Sequence, residues 1–238
     1  MNEQEFLAGY DPSQFERPSL TVDLVLLSIV GGAPVALLVR RTEHPFLDAW
    51  ALPGGFVAIH ESLDEAAARV LSQKARLDGV YMEQLYTFGA VGRDPRTRVV
   101  SVAYVALLPA ARFAAIEGDV TLARIALEDG SDLARAFAAD DAPLPLAFDH
   151  ARILGAAMAW LRSRLDDGPL AFALLPERFT LRDLQEVHEA ILGRRLNKPA
   201  FRRRILDKAA VEPTGVREAG AAFRPAELYR RARAAGVR

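Results

Sequence analysis

The segment from Leu52 to Leu77 leaves this chain little freedom in what it can fold into. It opens Leu52-Pro53-Gly54-Gly55-Phe56-Val57, an extended run to Ile59 with a glycine pair at its centre. Ser62 follows, and Glu65 stands three residues on, the spacing of a capping box at a helix start. The spacing predicts a helix from Leu63 to about Ala75. Positions 70, 73 and 74 are three and four apart, so they are expected to share one helix face. That face carries Val70, Gln73 and Lys74: an isopropyl group, a neutral amide and an ammonium. Glu61 and Arg69 lie eight apart and are not helix neighbours, so helix periodicity does not account for the pair.

The segment resembles the Nudix box of nucleoside-diphosphate hydrolases, G-x5-E-x7-R-E-U-x-E-E-x-G-U, with U a bulky aliphatic residue. Counted from Gly55, the chain has Glu61, Arg69, Leu71 and Leu77 where the box has Glu, Arg and its two aliphatics. It has Val70, Gln73, Lys74 and Arg76 where the box has Glu, Glu, Glu and Gly. The Leu52–Val57 run and Trp50 just upstream are also like that family. Such an enzyme cleaves a nucleoside-linked pyrophosphate with Mg²⁺, a hard ion that takes carboxylate and water oxygens. Val70 cannot ligate it, Gln73 offers one neutral oxygen, and Lys74 adds positive charge where the ion should sit. The remnants Gly55, Glu61 and Arg69 are expected to hold the loop–helix–loop together. We therefore expect no metal site, no catalytic residue, no cofactor and no enzyme activity.

Charge divides the chain. Residues 171–238 carry fifteen Lys or Arg against eight Asp or Glu, a net of +7, and residues 1–170 carry the balancing −8. Between them lies Asp166-Asp167-Gly168-Pro169, four turn formers in a row. We read two domains, 1–165 and 170–238, joined by a linker at 166–169. The absence of cysteine excludes disulfides and thiolate metal sites, and four scattered His give no ligand spacing. No apolar run is long enough for a bilayer and no signal-peptide pattern opens the chain, so a cytoplasmic location is expected.

In the first domain, residues 1–18 read as a lead-in loop. Thr21 to Val30 and Val35 to Arg41 read as a hairpin across Gly31-Gly32-Ala33-Pro34. Val80 to Phe88 and Arg98 to Pro109 read as strands, with a charged loop between them. Residues 111–147 give no clear pattern. Asp149 to Leu165 keeps helical spacing through Ile153, Leu154, Ala157, Met158 and Leu161. The order suggests an α/β fold, an α/β/α sandwich, which agrees with what the Nudix resemblance implies.

The second domain reads helix, turn, basic helix, then two extended pieces. Thr180 can cap a helix from Leu181 to Leu192, with Asp183 three residues on. After the turn Gly193 to Asn197, a second helix runs Lys198 to Lys208, with Pro199 in its first turn and Phe201, Ile205 and Leu206 expected inside. Two extended pieces, Val211 to Thr214 and Ala226 to Arg230, complete the order of a small winged helix-turn-helix domain. In that motif the second helix enters the major groove of DNA. Lys198, Arg202, Arg203 and Arg204 are the groove candidates, and Arg217 and Arg224 would flank the wing. A solvated charged face is the bland alternative for that run. RNA is disfavoured because no aromatic platform is visible.

Several further stretches carry a second resemblance: Tyr10-Asp11-Pro12, Arg17-Pro18, Tyr86 to Gly89, Arg93-Asp94-Pro95-Arg96, Arg98 to Tyr104, Ala147-Phe148-Asp149-His150 and Leu174 to Leu181. With the altered box and the basic winged helix, they resemble the Nudix-related transcriptional regulators of bacterial NAD metabolism over nearly the whole chain. The resemblance implies a ligand-responsive repressor that senses ADP-ribose or a related nucleotide and, as a homodimer, releases a palindromic operator. Ligand contacts are then expected from Arg93, Asp94 and Arg98, from Arg40 and Arg41 on the pyrophosphate, and from Phe56 and Phe88 on the pocket wall or adenine. For the arginines the alternative is surface charge, and for the phenylalanines it is core packing. The competing readings are a residual Mg²⁺-dependent hydrolase using Glu61 and Glu65, a regulator of sugar catabolism, and an RNA- or partner-binding adaptor.

Overall fold

The strand that organises the sheet is a run of β-branched and leucine side chains, Ser19–Val30, whose middle seven residues are all buried. Residues buried on both faces read as a continuous apolar run rather than an alternation. A computed structural model of the chain describes residues 2–113, 116, 118–128, 130–165, 170–218 and 225–232. The linker expected at 166–169 and Arg224 lie outside these. In chain order the elements are α1 (Glu3–Gly9), β1 (Ser19–Val30), β2 (Ala33–Arg40), β3 (Trp50–Ala51), β4 (Gly54–Phe56), α2 (Leu63–Val70), β5 (Glu83–Phe88) and β6 (Val99–Leu107). They continue with β7 (Val120–Leu127), β8 (Ala134–Phe137), β9 (Pro143–Leu144), α3 (His150–Arg164), α4 (Leu170–Ala173), α5 (Leu181–Leu192), α6 (Lys198–Asp207), β10 (Val211–Arg217) and β11 (Glu227–Arg231).

The large sheet runs β5-β6-β1-β2-β7-β8-β9, with β3 on β2 and β4 on β1. β1 and β6 pair in parallel, and β1 and β2 form the expected hairpin. Its turn is tighter than the sequence suggested, with only Gly31 and Gly32 between the strands, both at positive φ of 58° and 75°. Residues 111–147, opaque in sequence, hold β7, β8 and β9, which extend the sheet beyond β2. Residues 1–18 are not all loop. Asn2 and Glu5 form a reciprocal capping box that starts α1, though none of its residues is buried.

Two apolar clusters cover the two faces of the sheet, because side chains alternate along β1. Val22, Leu24 and Leu26 face α2, with Ala66, Ala67 and Val70. Val25 and Leu27 face α3, with Ile153, Leu154, Met158 and Leu161. The α3 cluster does not stop at the first domain. It continues into Leu184, Val187 and Ile191 of α5, Phe201 and Ile205 of α6, and Tyr229 of β11. Each such fully buried side chain is worth roughly 1.5–3 kcal/mol. Gly155 lets α3 pack closely, since a Cβ there would lie 1.8 Å from the Asp132 carbonyl oxygen. Leu206 is 42% exposed, contrary to expectation: one step past Ile205 it leaves the buried stripe of α6. Among the described residues no helix is long and apolar enough to cross a membrane.

Candidate ligand site and nucleic-acid interface

The box segment folds as a capped helix under a loop tied down by two charges. Ser62 and Glu65 form the reciprocal cap of α2. Arg69 Nε donates to Glu61 Oε2 at 2.9 Å, and its Nη2 to the Phe56 carbonyl at 2.9 Å. The Ala58 amide donates to Glu61 Oε1 at 2.7 Å. Hydrogen bonds from Arg69 and Ala58 hold the Glu61 carboxyl at about 2, well below its ordinary range. The loop from Phe56 to Glu61 is thereby pinned to the helix.

Positions 70, 73 and 74 do not share a face. α2 ends at Val70, and a π-helical turn, Leu71–Ala75, takes over, closed by Arg76 in the left-handed region. Val70 is 1% exposed and packs against Gly55, where an added Cβ would lie 3.1 Å away, while Gln73 and Lys74 are exposed. The wider π turn breaks the i, i+3, i+4 register on which the expectation rested. The residues present do not fit Mg²⁺. Glu61 is consumed by Arg69 and Ala58, Glu65 accepts from Ser62, and Asp64 accepts from the Tyr104 hydroxyl at 2.7 Å. Among the described residues no three His, Asp or Glu side chains are grouped to hold a metal.

Above the Gly54–Phe56 strand, three loops meet in a cluster of rings and guanidinium groups. Arg41 lies 4.9 Å from the centre of the Phe148 ring and Arg96 lies 5.8 Å from it. Arg96 is also 5.5 Å from the Phe56 ring, and Phe46 meets Phe148 edge-on at 4.8 Å. Asp94 holds Arg96 in a bidentate pair at 3.0 and 2.7 Å and accepts its backbone amide. Burial and the neighbouring Arg96 both press the Arg41 pKa downward. Phe46, Asp48 and Phe148 adopt positive φ of 61°, 66° and 53°. Bulky residues rarely adopt that conformation, and such strain concentrates at binding sites.

A buried polar network lies beneath the cluster. Arg93 donates to both oxygens of Asp149 at 3.0 and 2.7 Å and reaches Asp23 at 3.3 Å. Ser101 donates to Asp23 at 2.5 Å. The Leu52 amide donates to His150 Nδ1 at 2.9 Å, so that nitrogen must be unprotonated. Asp23, 3.7 Å from Nε2, would favour the charged ring, but burial outweighs it and the His150 pKa is lowered. The unfolded chain takes up the proton near 6.5 and the folded chain resists it. The contribution of a neutral His150 is therefore present above about pH 6.5 and lost as pH falls below it. We expect urea midpoints to drop between pH 7.5 and 5.5, and the drop to shrink in His150→Gln. An equal drop in both proteins would remove His150 as its cause.

Of the expected ligand residues, Arg41, Phe56 and Asp94 come together, Asp94 acting through Arg96. Arg40 stands apart in an exposed pair with Asp48 at 2.9 Å. Arg98 lies along the loop stem on the Ala90 and Val99 carbonyls. Two others are largely buried. Phe88 is 6% exposed, edge-on to Tyr86 and packed in the α3-side core, at the wall of a cavity it shares with Tyr86 and Asp149. Arg93 is buried and paired with Asp23 and Asp149, and it lines the same cavity. Phe46, Arg96, Phe148, Asp23, Asp149 and His150 were missed. Asp23 left a local signal, as a carboxylate inside an apolar strand, and Arg96, Phe148, Asp149 and His150 stand in stretches that carry the family resemblance.

In the second domain Thr180 and Asp183 cap α5 reciprocally, and Gly193 ends it at φ 68°. The turn is fixed by Glu189, which accepts from the Leu196 amide at 2.8 Å and from Arg195 at 2.9 Å. The Leu196 bond leads the causes that hold the Glu189 carboxyl down at about 2. α6 starts from the Asn197 cap, with Phe201 and Ile205 buried. Lys198, Arg202 and Arg203 are exposed. Arg204 instead leans back 5.5 Å from the Phe201 ring and is half buried, so the three arginines do not form one face. β10 and β11 form the antiparallel wing, joined to the domain by a bridge from Phe179 to Tyr229. Arg217, exposed at its end, donates to the Pro225 carbonyl at 3.1 Å.

Two domain families match the chain: the NUDIX domain over residues 18–156 and the NrtR DNA-binding winged helix domain over residues 171–231. The ADPR-responsive transcriptional repressor NtrR of Acinetobacter baylyi is 38% identical, with 96% of this chain and 88% of that protein covered. Shewanella oneidensis NrtR complexed with a 27mer DNA is 33% identical with a TM-score of 0.69, covering 90% of this chain and 93% of that one. The NUDIX domain of the same Shewanella protein complexed with ADP ribose is 35% identical with a TM-score of 0.53, covering 68% and 99%.

Proposed function

Since the chain belongs to the family of Nudix-domain transcriptional regulators that includes NrtR, we propose that it is a repressor that releases DNA on binding ADP-ribose or a close relative. The observation that carries the reading is the pair of guanidinium groups, Arg41 and Arg96, flanking the Phe148 ring beside Phe56. Asp94 already answers the Arg96 charge, so the excess positive charge of the cluster is that of Arg41, which among the described residues donates only to backbone carbonyls in its own loop and which an anion would stabilise. A guanidinium charge suits a phosphate oxygen, and the exposed Phe46 and Phe56 rings suit a purine. The altered box supports binding without hydrolysis, because a sensor that destroyed its ligand would cancel its own signal.

On this reading residues 1–165 sense the ligand and 170–238 bind DNA, with the boundary within 166–169. Lys198, Arg202 and Arg203 face the groove, with Arg217 on the wing. The protein acts in the cytoplasm as a homodimer on a palindromic operator, at genes of NAD synthesis or salvage. Ligand changes the spacing of the two winged helices and so their match to the half-sites.

With ADP-ribose and Mg²⁺ or Mn²⁺ we expect the nucleotide to stay intact, and the protein to melt at higher temperature. Ligand at 100 times its dissociation constant adds about 2.7 kcal/mol. AMP release at a useful turnover would make the chain a hydrolase instead. DNA from upstream of its own operon should shift in a gel and lose the shift with ADP-ribose.

A further inference from the structure

Helix α3 touches the ligand-site network at one end and the helix-turn-helix at the other. At its head, Asp149 takes both bonds from Arg93, and the His150 ring lies 5.4 Å from Phe148. In its last turn, Arg162 Nε donates to the Ile191 carbonyl oxygen at 2.8 Å. Ile191 lies in the last turn of α5, where backbone carbonyls lack helical partners and a cation meets the negative end of the helix dipole. The same guanidinium passes close to Gly193, 3.6 Å from where a Cβ would stand. Fifteen residues make α3 a rod of about 22 Å. From α5 the connection runs on to α6 through the turn, where Glu189 accepts from the Leu196 amide and Gln185 donates to its carbonyl. α5 and α6 are therefore tied to each other through the turn.

We propose that Arg162 is a positioning residue that couples the two domains, fixing α5, and α6 through it, to the helix whose other end meets the ligand cluster. A ligand that shifts Phe148 and Asp149 tilts α3, and the Arg162 bond carries the tilt to the DNA-binding pair. The inference rests on the ADP-ribose and DNA reading above. A ligand moves such an equilibrium only by its difference in affinity between the two arrangements, so the coupling is measurable as a ratio.

The experiment measures the dissociation constant for DNA from upstream of the chain's own operon, with and without saturating ADP-ribose, and separately that for ADP-ribose. The wild-type ratio of DNA dissociation constants should be about tenfold or more, within the usual range of coupling. In Arg162→Met each separate affinity should stay within about threefold of wild type, while the ratio falls below about 3. Arg162→Lys, which keeps the charge and a donor group but not the planar guanidinium, should restore part of the ratio. Arg164→Met should leave it whole, since Arg164 pairs with Glu83 at 3.1 Å and lies over Trp160 within the first domain. A full ratio in Arg162→Met overturns the proposal. So does loss of DNA binding in that variant without ADP-ribose, which would make Arg162 a prop only. If wild type shows no ratio, the regulator reading itself has failed, and that result is visible before any variant is made.

Discussion

Replacing Arg93 by Met is expected to cost about 3–5 kcal/mol of folding stability, the usual penalty for leaving one partner of a buried ion pair alone. The Arg93 side chain is 4% exposed and lies between Asp23 and Asp149. Without it Asp23 keeps only the Ser101 hydroxyl and a neutral His150 beside it. Asp149, at the head of α3, loses both its bonds. A domain of ordinary stability has about 5–15 kcal/mol in total, so the loss should be plain in a urea midpoint with unchanged slope. Arg93→Lys should recover little, because an ammonium cannot match the bidentate fork on Asp149. If Arg93→Met lost less than about 1 kcal/mol, the network would not be holding the loop.

Changing Lys198, Arg202 and Arg203 together to Gln should weaken binding to DNA upstream of the operon by about a hundredfold or more, at roughly 1 kcal/mol or more per side chain. All three are exposed on α6, so their loss removes charge without removing packing. The slope of log affinity against log salt should flatten by about 0.9 for each phosphate that is no longer neutralised. ADP-ribose affinity and melting temperature should stay at wild-type values, which separates a weakened DNA surface from a damaged fold. Binding and salt slope both unchanged would place the DNA surface elsewhere than α6.

The parts legible in the sequence are those set by neighbours along the chain. Ser62 with Glu65 and Thr180 with Asp183 read as capping boxes and form them, because each involves residues three apart. The helical spacing of Ile153, Leu154, Ala157, Met158 and Leu161 gives α3 within a residue or two at each end. β8 and β9 were illegible because they are short, and β7, though eight residues long, pairs only with β8 and with distant β2. The candidate site was half legible. Arg41, Phe56 and Asp94 could be named, but Phe148 turns toward Arg41 through a backbone conformation that its residue type disfavours.

The sequence by itself determined the strand–loop–helix of the box, the removal of carboxylates from positions 70, 73 and 74, and the capped basic helix at the far end. Those are properties of composition and short spacing, which hold wherever the chain goes. Only the tertiary structure decided that Val70 is core while Gln73 and Lys74 are surface, because a π turn resets the register after it. It also decided that Arg93 is a buried anchor, since Asp23 and Asp149 are 70 and 56 residues away along the chain. Charges so far apart in sequence meet only when the sheet and α3 pack together, and no local pattern records that meeting.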